Sequence, residues 1–248
     1  MEGAEPVATP VATRRSDLPV RIASAVVMLG IAGFALWQGG LVLKGLIALV
    51  GFGVFAEYVA LAAKIAPDPA RMVTAVITGG FYIGWAAFAL IVMPPVLLIA
   101  VLGLVIFTDT GAYFTGRAIG GPKIAPGISP SKTWAGLAGG MAAAALWAML
   151  YILFAAYLLS AMSPTGPSLA EALRTTRLGL AALAGAGLAV AAQAGDFYES
   201  WLKRRAGVKD SGRLIPGHGG LFDRVDGLLP VAIIAGTAWA AGVGAGGA

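Results

Sequence analysis

Residues 200–226 read SWLKRRAGVKDSGRLIPGHGGLFDRVD. Within these 27 residues stand six cations, three carboxylates and the only histidine of an otherwise strongly apolar chain. Such a segment is either a solvated loop or a reaction centre, and its spacings favour the second. Asp223 and Asp226 stand at i and i+3, so a helix opening near Phe222 presents both carboxylates on one face of its first turn. The helix dipole alone favours acids there, but two acids pointing together are better explained by a shared cation. Asp196 and Glu199 repeat the i, i+3 spacing just upstream. Mg²⁺ is typically held by one or two carboxylates plus substrate phosphates, which is the chemistry this pattern suits.

Between the acids, Gly217-His218-Gly219-Gly220 offers a backbone free to take positive φ and to approach a ligand closely. Successive amides in that conformation form an anion-binding nest, and Lys209, Arg213 and Arg224 flank it with positive charge. His218 has two readings, an acid or base and a hydrogen-bonded imidazole that contacts phosphate. Further upstream, Asp109, Tyr113 and Arg117 recur at i, i+4 and i+8, one stripe of a helix. Tyr113 is either part of that stripe's polar function or an interfacial aromatic. Ser129, Lys132 and Thr133 precede an apolar helix, where hydroxyls, an ammonium and free helix N–H groups gather at a site able to bind phosphate. The alternative there is a helix cap with a snorkelling lysine.

The segment resembles the signature of the phosphatidate cytidylyltransferases, also called CDP-diacylglycerol synthases. The resemblance rests on Ser200, Lys203-Arg204, Lys209-Asp210, Gly217-His218-Gly219-Gly220, Asp223-Arg224 and Asp226, all at fixed spacing. Asp109-Thr110-Gly111-Ala112-Tyr113 and Ser129-Pro130-Ser131-Lys132-Thr133-Trp134 are similar to elements that precede it in the same order. The motifs cover roughly Asp109 to Leu229; residues 1–108 match only as an apolar region with Glu57-Tyr58 at a plausible position. The resemblance implies the reaction CTP plus phosphatidic acid to CDP-diacylglycerol plus pyrophosphate, a homodimer, and a bacterial inner-membrane location with the site on the cytoplasmic face. No covalent nucleophile is needed, because the lipid phosphate oxygen attacks the α-phosphorus directly and catalysis rests on positioning and charge neutralisation. On this reading Asp196 and Asp223 hold Mg²⁺ or another divalent cation, with room for a second ion. Lys209, Asp210, His218, Arg224 and Asp226 carry the catalysis. Asp109, Tyr113, Ser129, Lys132, Thr133, Lys203, Arg204, Gly219 and Gly220 bind substrate.

The elements that must position these residues are membrane helices. With 58% apolar and 12% charged residues and a mean hydropathy of +0.85, the chain lies far outside soluble composition, where about a quarter of residues are charged. A span needs roughly 20 mostly apolar residues, and seven segments qualify: 20–37, 41–63, 72–93, 95–116, 134–160, 177–199 and 224–245. The expected architecture is an all-α polytopic bundle, one membrane domain over residues 20–248 behind a cytoplasmic tail of residues 1–19. That tail is too polar for a signal peptide. An inner N-terminus puts 14 of the 17 lysines and arginines on the inner side and leaves only Lys44, Arg174 and Arg177 outside, as the positive-inside rule requires. It also places Glu57, Asp109, Asp196, Asp223 and Asp226 at one membrane face. Carboxylates at the helix centre cost about 2.5–3.5 kcal/mol on insertion scales, so five at a shared depth argue for a wet cavity.

Several classes are excluded by what the sequence lacks. There is no cysteine and one histidine, so disulfides, thiolate sites and paired-histidine zinc motifs are ruled out. There is no GxxxxGK[ST] phosphate loop, and the DGxxAR run of the CDP-alcohol phosphotransferases is missing. The net charge of +5 falls at a membrane face, so anionic lipid of the bilayer and nucleotide are simpler partners than nucleic acid. A transporter would place its polar groups at midplane on broken helices. Another lipid nucleotidyltransferase or a lipid-alcohol kinase is the nearer alternative.

Overall fold

The computed structural model describes residues 18–162 and 168–245. The tail up to Asp17, with Arg14 and Arg15, and the outer-loop residues 163–167 lie outside the described residues. Six helices are long and apolar enough to cross a membrane: α1 Leu18–Gln38, α2 Gly40–Ile65, α3 Pro69–Val92, α4 Pro95–Ile119, α5 Trp134–Met162 and α7 Leu178–Arg205. They make this an all-α polytopic membrane protein. Between α5 and α7, Ser168 caps the short helix α6 Leu169–Thr175 through a reciprocal capping box with Glu171.

Three places differ from the sequence expectation. The stretch expected as a seventh span from 224 is split into a single turn, α8 Phe222–Val225, and α9 Leu228–Ala245, whose apolar run Leu228–Gly242 is shorter than the other spans. The break falls where Asp226 and Gly227 pass against α7. The sixth expected span runs on to Arg205, carrying Lys203 and Arg204 on helix instead of in a loop. The polar stretch 117–132 is not featureless, because Lys123–Ala125 (β1) pairs antiparallel with Ser129–Thr133 (β2). That hairpin feeds directly into α5, whose first turn is capped by Thr133 Oγ1 accepting from Gly136 N at 3.0 Å.

Helix ends follow the local sequence. Pro94 and Pro95 separate α3 from α4, with Pro95 at the first helical position, where its missing N–H costs nothing. Asp68 caps α3 by accepting from Arg71 N at 2.9 Å. Small residues set the approach of α4 to α5: a Cβ on Gly136 would lie 3.0 Å from Ala112 O, and one on Gly140 3.0 Å from Thr108 O. This is the small-xxx-small mode of membrane helix packing. The packed core runs through α2, α3, α4, α7 and α9, with Val54, Ile83, Ala86, Ala189, Val231 and Ala232 among its buried members. α1 stays largely exposed, with Ala35 its one buried residue among those described.

Candidate active site

Two cavities carry the polar residues singled out by the sequence. The first, about 430 Å³, is walled by α4, the hairpin, the start of α5, and α7. The stripe read from the sequence opens into it: Asp109, Tyr113 and Arg117 all line it, and Arg117 Nη1 donates to Tyr113 Oη at 3.1 Å. Lys132 reaches in from β2, forms an ion pair with Asp196 of α7, and lies over the Phe197 ring at 5.2 Å. Asp109 is within electrostatic reach of both Asp196 and Lys132. Thr133 lines the same cavity, whereas Ser129 is buried at the head of β2 and the lining hydroxyl is that of Ser131. Gln193, one turn before Asp196, and Lys123 complete the polar wall.

The second cavity, about 580 Å³, is formed by the signature turn itself together with α1. Ile215-Pro216-Gly217-His218 makes a tight turn closed by His218 N donating to Ile215 O at 3.0 Å, with Gly217 at φ 75°. Proline followed by a positive-φ glycine at the two central positions is the sequence of a type II turn. Ile215 N returns to Gly219 O at 2.9 Å. Lys209, Asp210, His218, Gly219 and Arg224 all face this cavity, and Arg224 Nη2 donates to His218 O at 2.7 Å.

A buried polar girder ties the signature segment to α2 and α7. Asp223 accepts from Lys203 Nζ at 2.6 Å on one oxygen, and from Ser211 N (2.9 Å), Ser211 Oγ (2.8 Å) and Gly220 N (2.8 Å) on the other. Burial alone would raise this carboxyl, but hydrogen bonds with Glu199, Lys203 and the Gly220 and Ser211 amides outweigh it and hold Asp223 far below the usual carboxylate range. Glu57 of α2 anchors the same turn from the opposite side, accepting from Leu221 N (3.0 Å), Phe222 N (2.9 Å) and Ser211 Oγ (2.9 Å). Gly220 must be glycine, since a Cβ there would run into Ser211 Oγ and the Glu57 carboxylate. Sequence reading had Glu57 at the right depth but no role for it. No spacing signal could supply one, because its partners lie about 160 residues away.

Asp196 and Asp223, expected to share one cation, have different direct partners and are linked through Asp226 and Glu199. Asp196 lies with Lys132, Asp109 and Asp226; Asp223 lies with Lys203, Ser211 and Gly220. The reason is geometric: the turn of α8 points Asp223 back under the signature loop, while Asp226, three residues on, meets α7 beside Gly195 and Asp196. Burial, then the charges of Asp196 and Glu199, raise the Asp226 carboxyl well above its ordinary value. Two expected phosphate ligands are likewise engaged elsewhere. Lys203 bridges Glu199 (2.5 Å) and Asp223 (2.6 Å), and Arg204 donates through Nε to Ile128 O at 3.3 Å, tying the hairpin to α7. Gly220 gives its N–H to Asp223, not to a ligand nest.

Whether the acids suit a cation is tested by one atom. Glu199 is 1% exposed, and its Oε1 has no hydrogen-bond partner, an unsatisfied state that costs about 1–3 kcal/mol for a buried polar group. Asp226 beside it is raised by the same crowding of negative charge. Among the described residues no three acidic or histidine side chains converge into a ready-made metal cage. The donor set therefore fits an ion that takes part of its coordination from substrate oxygens.

The sequence profile of the cytidylyltransferase family matches residues 69–240. A phosphatidate cytidylyltransferase of Brucella suis is 41% identical over 162 residues, covering 63% of this chain and 53% of that protein. The phosphatidate cytidylyltransferase of Pseudomonas aeruginosa is 40% identical over 151 residues (60% and 49%), and that of Thermotoga maritima 42% over 124 residues (50% and 42%). The chain thus matches about half the length of these curated relatives. The matched span takes in α4, the hairpin, α5 and α7, which wall the first cavity, and the signature turn, and on that match the chain belongs to the cytidylyltransferase family.

Proposed function

We propose that this chain is a phosphatidate cytidylyltransferase, converting CTP and phosphatidic acid to CDP-diacylglycerol and pyrophosphate at the cytoplasmic face of a bacterial inner membrane. The observation that supports the reading is the cavity walled by α4, the hairpin and α7, in which Lys132 is paired to Asp196 beside Asp109, with Lys123 and Arg117 on the same wall. Three cations beside two carboxylates, at the inner ends of membrane helices, suit a polyphosphate accompanied by a divalent cation.

A phosphate oxygen of the lipid attacks the α-phosphorus of CTP, the bond from that phosphorus to the bridging oxygen breaks, and pyrophosphate leaves with the electron pair. No proton need move when the attacking phosphomonoester is fully ionised. Lys132, freed from Asp196 by the incoming phosphates, neutralises charge on the triphosphate as bonds exchange. Lys123 and Arg117 lie on the same wall to receive the outer phosphates. Asp196 and Asp226, with Glu199, would hold Mg²⁺. Bound there, Mg²⁺ would lower repulsion between two anionic substrates and stabilise the departing pyrophosphate. Asp223 and Glu57 act by holding the signature turn in shape. A homodimer is part of this reading, tested by the mass of the detergent-solubilised particle.

The test is the fate of label. Purified protein given phosphatidic acid and CTP labelled at the α-phosphorus should produce labelled lipid, and CTP labelled at the γ-phosphorus should produce labelled pyrophosphate. Transfer of the γ-label to lipid would make the chain a kinase and overturn the proposal.

A further inference from the structure

The second polar cavity is not needed to hold the triphosphate, and one of its walls comes from α1, outside the matched residues 69–240. Arg21, in the first turn of α1, packs its stem so closely on the signature turn that a Cβ on Gly217 would lie 2.8 Å from Arg21 Cγ. One turn on, Ser24 Oγ lies 2.7 Å from His218 Nδ1. Arg21, Lys209, Arg213 and Arg224 thus surround the basin with four cations against the single acid Asp210. The ion pairs found among the described residues engage none of these four with a carboxylate. A basin with that surplus calls for a multiply charged anion.

An apolar cavity of about 210 Å³ shows which anion. It is lined by Ala32 and Leu36 of α1, Val54 of α2, and Val225 and Leu228 around α8. Arg224 therefore faces the basin and Val225, its neighbour in the chain, faces the apolar cavity. α1 lines both as well, with Arg21 at the basin and Ala32 eleven residues on, a rise of ~16 Å along the helix. A polar, cationic chamber at the helix ends and an apolar one deeper along the same two elements match a ligand with an anionic head and a hydrocarbon tail. A nucleotide uses only the first.

We infer that the basin between α1 and the signature turn binds the phosphate of the lipid substrate, with Arg21 as a phosphate ligand and the cavity beside Ala32 receiving an acyl chain. Ser24 serves as a positioning residue, holding the His218 ring against α1. The inference rests on the proposed reaction: lipid enters from the α1 side and nucleotide from the α4–α5 side, and the lipid phosphate must meet the α-phosphorus beside the signature segment.

Two arms test it, one independent of turnover. In the first, a short-chain phosphatidic acid without nucleotide should raise the thermal midpoint of detergent-solubilised wild type. Arg21→Gln should lose that response, Arg21→Lys should keep part of it, and CTP should stabilise all three equally. In the second, Arg21→Gln should raise KM for phosphatidic acid in mixed micelles by roughly 10- to 150-fold, the loss of one charge-assisted contact, with KM for CTP unchanged. Ala32→Trp, on the exposed α1, should raise KM for a long-chain phosphatidic acid and spare the short-chain one. If Arg21→Gln instead weakens CTP and spares lipid, or changes neither, the basin assignment is overturned. If wild type turns over no lipid but the first arm behaves as stated, the proposed reaction fails and the phosphate site stands.

Discussion

Replacing Asp223 by Asn separates a structural role from a metal-binding one. The side chain is 7% exposed and its partner Lys203 13% exposed, so solvent screens the pair little. Asn keeps one acceptor oxygen. If that oxygen stays with Ser211 N, Ser211 Oγ and Gly220 N, the amide nitrogen then faces Lys203 Nζ, donor against donor, where the carboxylate stands at 2.6 Å. If the amide is reversed, three donors lose their acceptor. Either way the Lys203 ammonium loses one of two carboxylate partners in a buried setting. Breaking a buried ion pair on one side costs about 3–5 kcal/mol, and for a chain of this length each kcal/mol moves the midpoint by about 2–4 °C. Asp223→Asn should therefore lower the thermal midpoint, read as loss of the monodisperse peak on heating in detergent, by ~6–20 °C. Asp196→Asn removes a carboxylate crowded by Asp109 and Asp226, which offsets the loss of its Lys132 pair, so the midpoint should fall less than for Asp223→Asn while turnover is abolished. A stable Asp223→Asn with only its metal dependence altered would refute the reasoning and return Asp223 to the role of a metal ligand.

Lys132→Ala should fold normally and lose roughly 10- to 150-fold in kcat/KM, from one charge-assisted contact of about 1.5–3 kcal/mol; unchanged kinetics would leave Lys132 a snorkelling side chain. Gly220→Ala should prevent recovery of folded protein, because the added methyl has no space between Ser211 and Glu57, and normal yield would contradict the packing of the turn. The depressed Asp223 carboxyl makes a signed pH prediction. Its stabilisation is complete above the unfolded value near pH 4 and is lost as pH falls below it, so wild type should lose more stability than Asp223→Asn on acidification through that range. Single cysteines introduced at Ala66 and Ala206 should be labelled only from the cytoplasmic side and one at Gly166 only from the outside; the reverse would invert the topology.

The membrane helices were legible because hydropathy and charge asymmetry are properties of contiguous residues. Six long helices begin and end within a few residues of the expected segments. The end of the sixth was not, because Lys203 and Arg204 read as loop residues when their partners Asp223 and Ile128 O are out of sight. The stripe Asp109-Tyr113-Arg117 was legible for the same local reason, since helical spacing puts all three on one wall. The direct partners of Asp196 and Asp223 were not legible, because depth does not tell which way a one-turn helix points. Glu57, Ser211, Ser24 and Arg21 were invisible as site residues because each acts through a partner more than ten residues away.

The most direct measurement compares purified wild type with Asp196→Asn at equal amounts of folded protein, each given CTP, Mg²⁺ and phosphatidic acid, with lipid products read by mass spectrometry. The account predicts a lipid heavier than phosphatidic acid by one cytidylyl group for wild type, and none above background for Asp196→Asn. Equal product from both proteins, or no cytidylylated lipid from wild type, would contradict it.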